Sequence, residues 1–341
     1  MADTVAVAVS GGVDSSVAAA LLKQRYDIFG VTMHLGSDET VNDAWTVCQR
    51  LDMPLHVIDL ERQFKAEVID YFCAEYRRGH TPNPCIACNR RIKFGLLLEE
   101  AVKLGATCLA TGHYARIEKD GDRYRLLKAA DRNKDQSYFL YCLGQGELRS
   151  VLFPLGEYSK NEVRRMAADL GLPTSSARES QEICFIPGND YRGFLQAAVP
   201  PRPGLIIDTK GATVGKHDGV CGYTVGQRHG LGIAATERRY VVRIDADDNT
   251  VTVGPEEALW SQELLADDVR FVSGEAPQKD IEVSARVRYR AAEAPAVLVR
   301  CGDLWHVRFD RPQRAVAPGQ SVVFYRGEEV LGGGIIMEGI N

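Results

Sequence analysis

A chain of 341 residues is long for one core and points to two or three domains. Its 45% hydrophobic and 26% charged residues are ordinary for a soluble globular protein, and no apolar run approaches the roughly 18–20 residues of a membrane span. The formal charge of −5 argues weakly against a nucleic-acid partner without excluding one, because local basic patches rather than the total set the attraction for phosphates. MADTVAVAVSGG at the start reads as a strand entering a glycine turn and lacks the features of a secretion signal, so the cytoplasm is the expected location.

The first half alternates strand and helix patterns. TVAVAVS reads as a buried strand, SSVAAALLKQRY as a helix, IFGVTMH as a strand, DAWTVCQRLD as a helix and PLHVIDL as a strand; KFGLLLEEAVKLG is then a helix before TCLATGH. This alternation predicts an α/β domain with a parallel sheet covered on both faces, binding ligands beyond the carboxyl ends of its strands. The pattern changes at Val199-Pro200-Pro201-Arg202-Pro203-Gly204. Short β runs broken by glycine, proline and aspartate follow to the end, predicting a small central β domain and a final β-barrel. The expected division is 1–198, 199–258 and 259–341, with a joint around Glu256–Leu265. There is no internal repeat and no low-complexity tract.

Ser10-Gly11-Gly12-Val13-Asp14-Ser15-Ser16 lies between the first strand and the first helix. The glycines let the backbone turn tightly toward an anion, while the helix start and the Ser15 and Ser16 hydroxyls supply donors. No lysine follows the second glycine, so this is not the lysine-bearing phosphate loop of kinases and GTPases, and it is not GxGxxG either. A lone glycine pair could be a plain turn; serine, two glycines, aspartate and two serines together in this place are poorly explained that way. SGGxDS resembles the signature of the N-type ATP pyrophosphatases, which split ATP into AMP and pyrophosphate and adenylate an oxygen of their substrate. That resemblance implies ATP with Mg²⁺ shared between the phosphates and Asp14.

Nine cysteines without an export signal do not suit a disulfide framework. Cys48, Cys73, Cys108, Cys142, Cys221 and Cys301 lack chemical context and read as structural. Cys85-Ile86-Ala87-Cys88 is the one CxxC, stiffened by Pro82 and Pro84 and set on a loop entering a helix, where the helix-start amides, Arg90, Arg91 and Lys93 are expected to favour thiolates. Cys184 stands in Arg178-Glu179-Ser180-Gln181-Glu182-Ile183-Cys184-Phe185. Three readings compete. A structural zinc site needs further ligands, of which only Cys184 and His80 are on offer. A thioredoxin-like redox pair belongs to another fold. The third is sulfur handling, by a persulfide or by three cysteines holding an iron–sulfur cluster with one iron open.

Taken together, SGGVDSS, TPNPCIACNRRIKFG, ATGHYAR, NKDQSYFL, QEICFIP, YTVGQRHGLGI and PGQSVVFYRGEEVLGGGII resemble, in order and over nearly the whole chain, the tRNA-specific 2-thiouridylases. The resemblance implies an ATP-pyrophosphatase domain, a small central β domain and a C-terminal barrel. It implies that Ala8, Val9 and Ser10–Ser15 bind ATP phosphates and that Met33 and Gly112 lie at the adenine or ribose. Cys184 matches the cysteine that receives persulfide sulfur from a relay begun by a cysteine desulfurase, and Cys88 the nucleophile paired with it. Asn83, Pro84 and Cys85 fall where the family contacts the target base; His113, Lys134, Asp135, Gln136, Tyr289, Arg290 and Gln320 fall where it contacts tRNA. Read from residues alone, Lys134 and Asp135 could equally be a solvated turn, and Arg286, Arg288 and Arg290 alternate like an exposed strand face.

Two departures stand out. Much of the family has an aspartate where this chain has Cys85, and here Cys85, Cys88 and Cys184 form a three-thiol set that suits a [4Fe–4S] cluster whose fourth iron binds sulfide. The segment Leu35–Asn42 is short beside many relatives. The expected reaction adenylates O2 of a wobble uridine, lets sulfur attack C2 and expels AMP, with tRNAs for Lys, Glu and Gln as the implied substrates. The rivals are another adenylating ligase or amidotransferase, which has no use for the thiols, and a non-catalytic RNA-binding protein with a structural metal.

Overall fold

The structure, a computed structural model, describes residues 4–172, 183–186, 188, 190–234 and 237–340. The expected context Arg178–Glu182 lies outside the described residues, whereas Cys184 lies within them.

The chain begins with β1 (Thr4–Ala8), α1 (Val13–Lys23), β2 (Asp27–His34), α2 (Glu39–Arg50) and β3 (Leu55–Asp59). A rod follows: α3 (Glu61–Phe64), a π-helical stretch Lys65–Asp70 and α4 (Tyr71–Arg77). A second rod consists of α5 (Pro84–Ala87), a π-helical stretch Cys88–Leu97 and α6 (Leu98–Lys103). Then come β4 (Cys108–Ala110), the hairpin β5 (Ala115–Asp120) and β6 (Arg123–Lys128), α7 (Gln145–Arg149), β7 (Val151–Leu152), α8 (Lys160–Asp169) and α9 (Tyr191–Ala198).

The parallel sheet has the order β3-β2-β1-β4-β7. Val5, Ala6 and Val7 of β1 are at most 1% exposed, which is why that strand reads as an unbroken apolar run rather than an alternating one. From β1 the chain builds outward to β3, then returns to place β4 on the other side of β1. The loops leaving β1 and β4 therefore face one crevice, the place where such sheets bind ligands.

The central domain is a four-stranded sheet of β8 (Gly204–Asp208), β9 (Thr213–His217), β10 (Tyr240–Asp245) and β11 (Thr250–Gly254), ordered β10-β11-β8-β9. After a 3-10 turn at Glu256–Leu259 the last six strands follow: β12 (Trp260–Phe271), β13 (Ile281–Arg286), β14 (Ala294–Cys301), β15 (Leu304–Arg314), β16 (Ser321–Arg326) and β17 (Glu329–Ile340). Their order β12-β15-β14-β13-β16-β17 is closed by β12 pairing β17, a six-stranded barrel as expected.

One feature departs from a simple string of domains. The β5–β6 hairpin of the first half pairs with the start of β17, Leu126 opposite Val330 and Leu127 opposite Glu329. Leu126, Tyr138, Tyr141, Val323, Tyr325 and Val330 consequently share one core with Ala6 and Leu109 of the parallel sheet. The alternative reading of Arg286, Arg288 and Arg290 as one exposed strand face does not hold. β13 ends at Arg286, whose guanidinium pairs with Glu293 at 2.9 Å. Arg288 is held at the joint of central domain and barrel, donating to the carbonyls of Val225 and Ala315. Only Arg290 of the three is exposed.

Cys48, Cys73, Cys88 and Cys142 are buried, and Cys108 and Cys221 half-buried. Cys301, expected as structural, is exposed at the end of β14. Leu126→Ala removes a fully buried side chain from the shared core. We expect it to lower unfolding stability by about 2–5 kcal/mol, measured by urea denaturation.

Candidate active site

Gly11 has φ +76, and a Cβ there would lie 2.2 Å from the Cβ of Asp43 on α2, so only glycine lets the loop seat against that helix. The Ser15 hydroxyl accepts from the Ser10 N–H at 3.2 Å and donates to the Gly12 carbonyl at 3.1 Å; Ser16 donates to the same carbonyl at 2.8 Å. These bonds fix the turn, and α1 begins at Val13.

Gly112, directly after β4 and Thr111, faces this loop. A Cβ at 112 would stand 2.8 Å from the Asp14 carbonyl carbon and the Ser15 nitrogen, so two backbones meet there. Met33 sits near the end of β2, half-buried and packed on the main core. Asp14 is not a bare carboxylate: it accepts from the Tyr114 hydroxyl at 2.7 Å and from the Lys160 ammonium at 2.7 Å on each oxygen.

The thiols are positioned by the second rod. Asn83 caps α5, accepting from the Cys85 N–H at 3.2 Å, and buried Pro84 takes the first helical position, where a missing N–H costs nothing. Cys88 then opens the π-helical stretch. In an α-helix a residue five positions on points about 140° away. In a π-helix hydrogen bonds join i to i+5, so Lys93 comes round toward the face of Cys88. Arg90 and Arg91 are turned elsewhere, paired with Asp268 and Glu67.

Cys85 and Cys184 are exposed and Cys88 is buried. The three lie near enough for their charges to act on one another, and the Lys93 ammonium acts on all three. The expected thiolates are corrected. Surrounding protein raises all three thiol pKa values, Cys88 to about 11, and the opposing pull of Lys93 is the smaller effect. Among the described residues the three sulfurs do not all fall within 4.8 Å of one another.

His113 links the two halves of the site, following Gly112 in the chain. Its Nδ1 lies 2.7 Å from the Thr111 hydroxyl, and its ring meets Phe153 edgewise and Phe94 at a tilt. Burial, then Lys93, holds it well below its ordinary pKa, so the imidazole is neutral at pH 7. Beside Cys88, Asn89 is 1% exposed, donates to the Phe139 carbonyl at 3.0 Å and keeps a buried Oδ1 without a partner.

The run before the CxxC is held by all three domains. The Thr81 N–H donates to the Pro318 carbonyl at 2.7 Å and its hydroxyl to that of Thr224 at 3.3 Å. Gln320 donates to the Thr81 carbonyl at 2.6 Å, so its amide braces this run. Glu75 binds His80 and Arg78 at 2.7 Å each, which lowers its carboxyl pKa, His80 most. Asp135 is 4% exposed and accepts from the backbone of Ala129 and Ser137 and from the Ser137 hydroxyl, so the solvated-turn reading does not hold for it. Gln136 accepts the Tyr114 N–H at 2.9 Å, and Lys134 beside it is half-buried. Tyr289 rests 4.4 Å from the Phe139 ring, which brings the β13–β14 turn and Arg290 against the 134–139 segment.

Sequence reading missed Lys160, Tyr114 and Asn89. Tyr114 and Asn89 lie within ATGHYAR and TPNPCIACNRRIKFG, while Lys160 stands just inside the Ser159–Glu162 capping box that starts α8.

A phosphate-type loop at the switch point of a parallel sheet, with a thiol set beside it, defines a nucleotide-binding enzyme of sulfur chemistry. Three family models match the chain in order: the tRNA methyl transferase HUP domain over residues 3–188, the tRNA methyl transferase PRC-barrel domain over 192–255 and the aminomethyltransferase beta-barrel domain over 261–336. The tRNA-specific 2-thiouridylase of Pelotomaculum thermopropionicum is 46% identical, covering 97% of this chain and 96% of its own length. That of Heliobacterium modesticaldum is 47% identical, covering 100% and 94%. The chain belongs to the family of the tRNA-specific 2-thiouridylases. Among solved structures, a predicted subunit of tRNA methyltransferase from Methanocaldococcus jannaschii covers 49% of this chain and 74% of its own at 20% identity, with a TM-score of 0.35.

Since Lys93 lowers each thiol pKa, its removal raises them. We expect Lys93→Met to move the alkylation profile of Cys184 with iodoacetamide to higher pH, and Lys93→Arg to leave it near the wild-type position. An unchanged profile in Lys93→Met would show that the ammonium does not act on the thiols.

Proposed function

We propose that this chain is an ATP-dependent tRNA uridine 2-sulfurtransferase that makes 2-thiouridine at the wobble position, working in the cytoplasm on tRNAs for Lys, Glu and Gln. One juxtaposition carries the reading: Thr111–His113 touches the phosphate loop through Gly112 and the field of the thiols' lysine through His113. This juxtaposition supports adenylation and sulfur transfer taking place on either side of these three residues. An amidotransferase or ligase would have no use for Cys85, Cys88 and Cys184.

In this reading Ala8–Ser16 hold the ATP phosphates, with Mg²⁺ between them, and Met33 and Gly112 border the nucleoside. The loop amides and the start of α1 favour the departing pyrophosphate. Adenylation of O2 releases pyrophosphate and makes AMP the leaving group. The outer sulfur of a Cys184 persulfide attacks C2, and AMP departs. Cys88 then attacks the inner Cys184 sulfur, breaking the S–S bond to release 2-thiouridine and leave a Cys88–Cys184 disulfide. Asn83, Pro84 and Cys85 meet the target base. A neutral His113 offers this base a hydrogen-bonding edge rather than a charge. Lys134, Gln136, Tyr289 and Arg290 contact tRNA, while Asp135 and Gln320 hold the surfaces that do so. The working division is 1–198 for catalysis, 199–258 for the central brace and 259–341 for the tRNA-binding barrel.

The sulfur donor is a cysteine desulfurase or its relay protein, reaching the exposed Cys184. We further propose that Cys85, Cys88 and Cys184 hold a [4Fe–4S] cluster, supported by the three thiols sharing the neighbourhood of Lys93. When bound, it supplies an open iron able to take sulfide.

Cys184→Ser is expected to abolish tRNA thiolation while tRNA affinity stays within about twofold of wild type by filter binding; retained thiolation would remove Cys184 from the chemistry. Anaerobically purified protein is expected to carry about four irons and matching acid-labile sulfide per chain, lost in Cys85→Ala. Iron-free protein that still thiolates tRNA would assign the sulfur to a Cys184 persulfide, with Cys88 as its partner.

A further inference from the structure

The phosphate loop contains one charged side chain, and it is negative. Ser10–Ser16 offers Asp14 and no lysine or arginine, yet the reading above brings a polyphosphate to it. The structure supplies a cation from 146 residues further along the chain. Lys160 opens α8, its ammonium lies 2.7 Å from both oxygens of Asp14, and it is only 8% exposed.

The placement is built from several sides. Ser159 and Glu162 close a capping box around the start of α8, and the Lys160 N–H donates to Asp131 at 3.0 Å. α8 packs along α1 through Val163 and Ala167 against Val13, Val17 and Ala18, so the lysine is carried by the helix that braces the phosphate loop's own helix. Tyr114, two residues beyond Gly112, donates to Asp14 at 2.7 Å, and its ring lies 5.7 Å from the ammonium. Burial costs a lysine side-chain freedom and hydration, so the position of Lys160 is held by its contacts with Asp14 and the capped start of α8.

We propose that Lys160 is a residue of the ATP site and supplies to the β- and γ-phosphates the positive charge that the loop's own sequence lacks, with Asp14 and Tyr114 as its positioning partners. The assignment rests on the reading of Ser10–Ser16 as the ATP loop. A structural ion pair that only neutralises Asp14 is the competing account, and the two differ in what removal of both charges does. Restoring neutrality repairs a structural pair but leaves a phosphate site short of its cation.

The test measures binding of α,β-methylene-ATP, inorganic pyrophosphate and AMP to the full chain by calorimetry, beside the thermal melting point. The variants are Lys160→Gln, Lys160→Arg, Asp14→Asn and the double variant Asp14→Asn/Lys160→Gln. We expect Lys160→Gln to weaken the triphosphate analogue and pyrophosphate at least tenfold while changing AMP less than threefold, and Lys160→Arg to recover part of the loss. The double variant should melt near the wild-type temperature and still bind the analogue at least tenfold more weakly. Wild-type affinity in the double variant would overturn the proposal and leave Lys160 a neutralising partner; an equal loss for AMP would do the same. A wild-type chain that binds neither the analogue nor pyrophosphate would overturn the reading of the loop itself, and this assignment with it. Should Lys160→Gln fail to fold, the charge-neutral double variant and Lys160→Arg carry the test.

Discussion

The close passage of Gly112 against the backbone of Asp14 and Ser15 is the constraint around which the site is arranged. It exists because β1 and β4 are neighbours in a parallel sheet, so the segments leaving their carboxyl ends enter one crevice. With no Cβ between them, the two backbones meet. His113 and Tyr114, the next residues, are then delivered to fixed places: the first toward the thiols' lysine, the second onto Asp14. A side chain at 112 would push apart the phosphate loop and the wall of the thiol site together.

The β domains belong to this site rather than being appended to it. Thr81, four residues before Cys85, has its N–H, carbonyl and hydroxyl taken by Pro318, Gln320 and Thr224. The β5–β6 hairpin enters the barrel sheet, and Lys128 on β6 reaches Glu293 at 2.7 Å, the carboxylate that also holds Arg286. The turn carrying Tyr289 and Arg290 is thus tied to the catalytic half by backbone pairing and by buried charge. Buried charges of this kind stabilise little by themselves but are costly to leave unpaired, so they fix one geometry more than they add stability.

The thiols illustrate a contest between burial and charge. Arg90, Arg91 and Lys93 look like three cations beside a CxxC, which would favour thiolates. Two of them are spent on Asp268 and Glu67, and enclosure of the sulfurs outweighs the remaining one. The protein around them therefore raises the thiol pKa values rather than lowering them.

Local pattern determined a good deal of this protein. The alternation of buried strands and helices, the break at Val199–Gly204 and the short β runs after it specify the α/β half and the two β domains, because side-chain period and turn chemistry act within a few residues. SGGVDSS and the CxxC were legible for the same reason: each needs its residues side by side. What sequence could not reveal lies at long separation. Lys160 finds Asp14 across 146 residues, Gln320 finds Thr81 across 239, and Arg288 finds Val225 across 63. No local spacing encodes such meetings, since they depend on how whole elements pack. Even inside one helix the outcome was not local. Lys93 acts on the thiols from within the π-helical stretch Cys88–Leu97, where residues five apart lie nearer one face than α-helical spacing would put them.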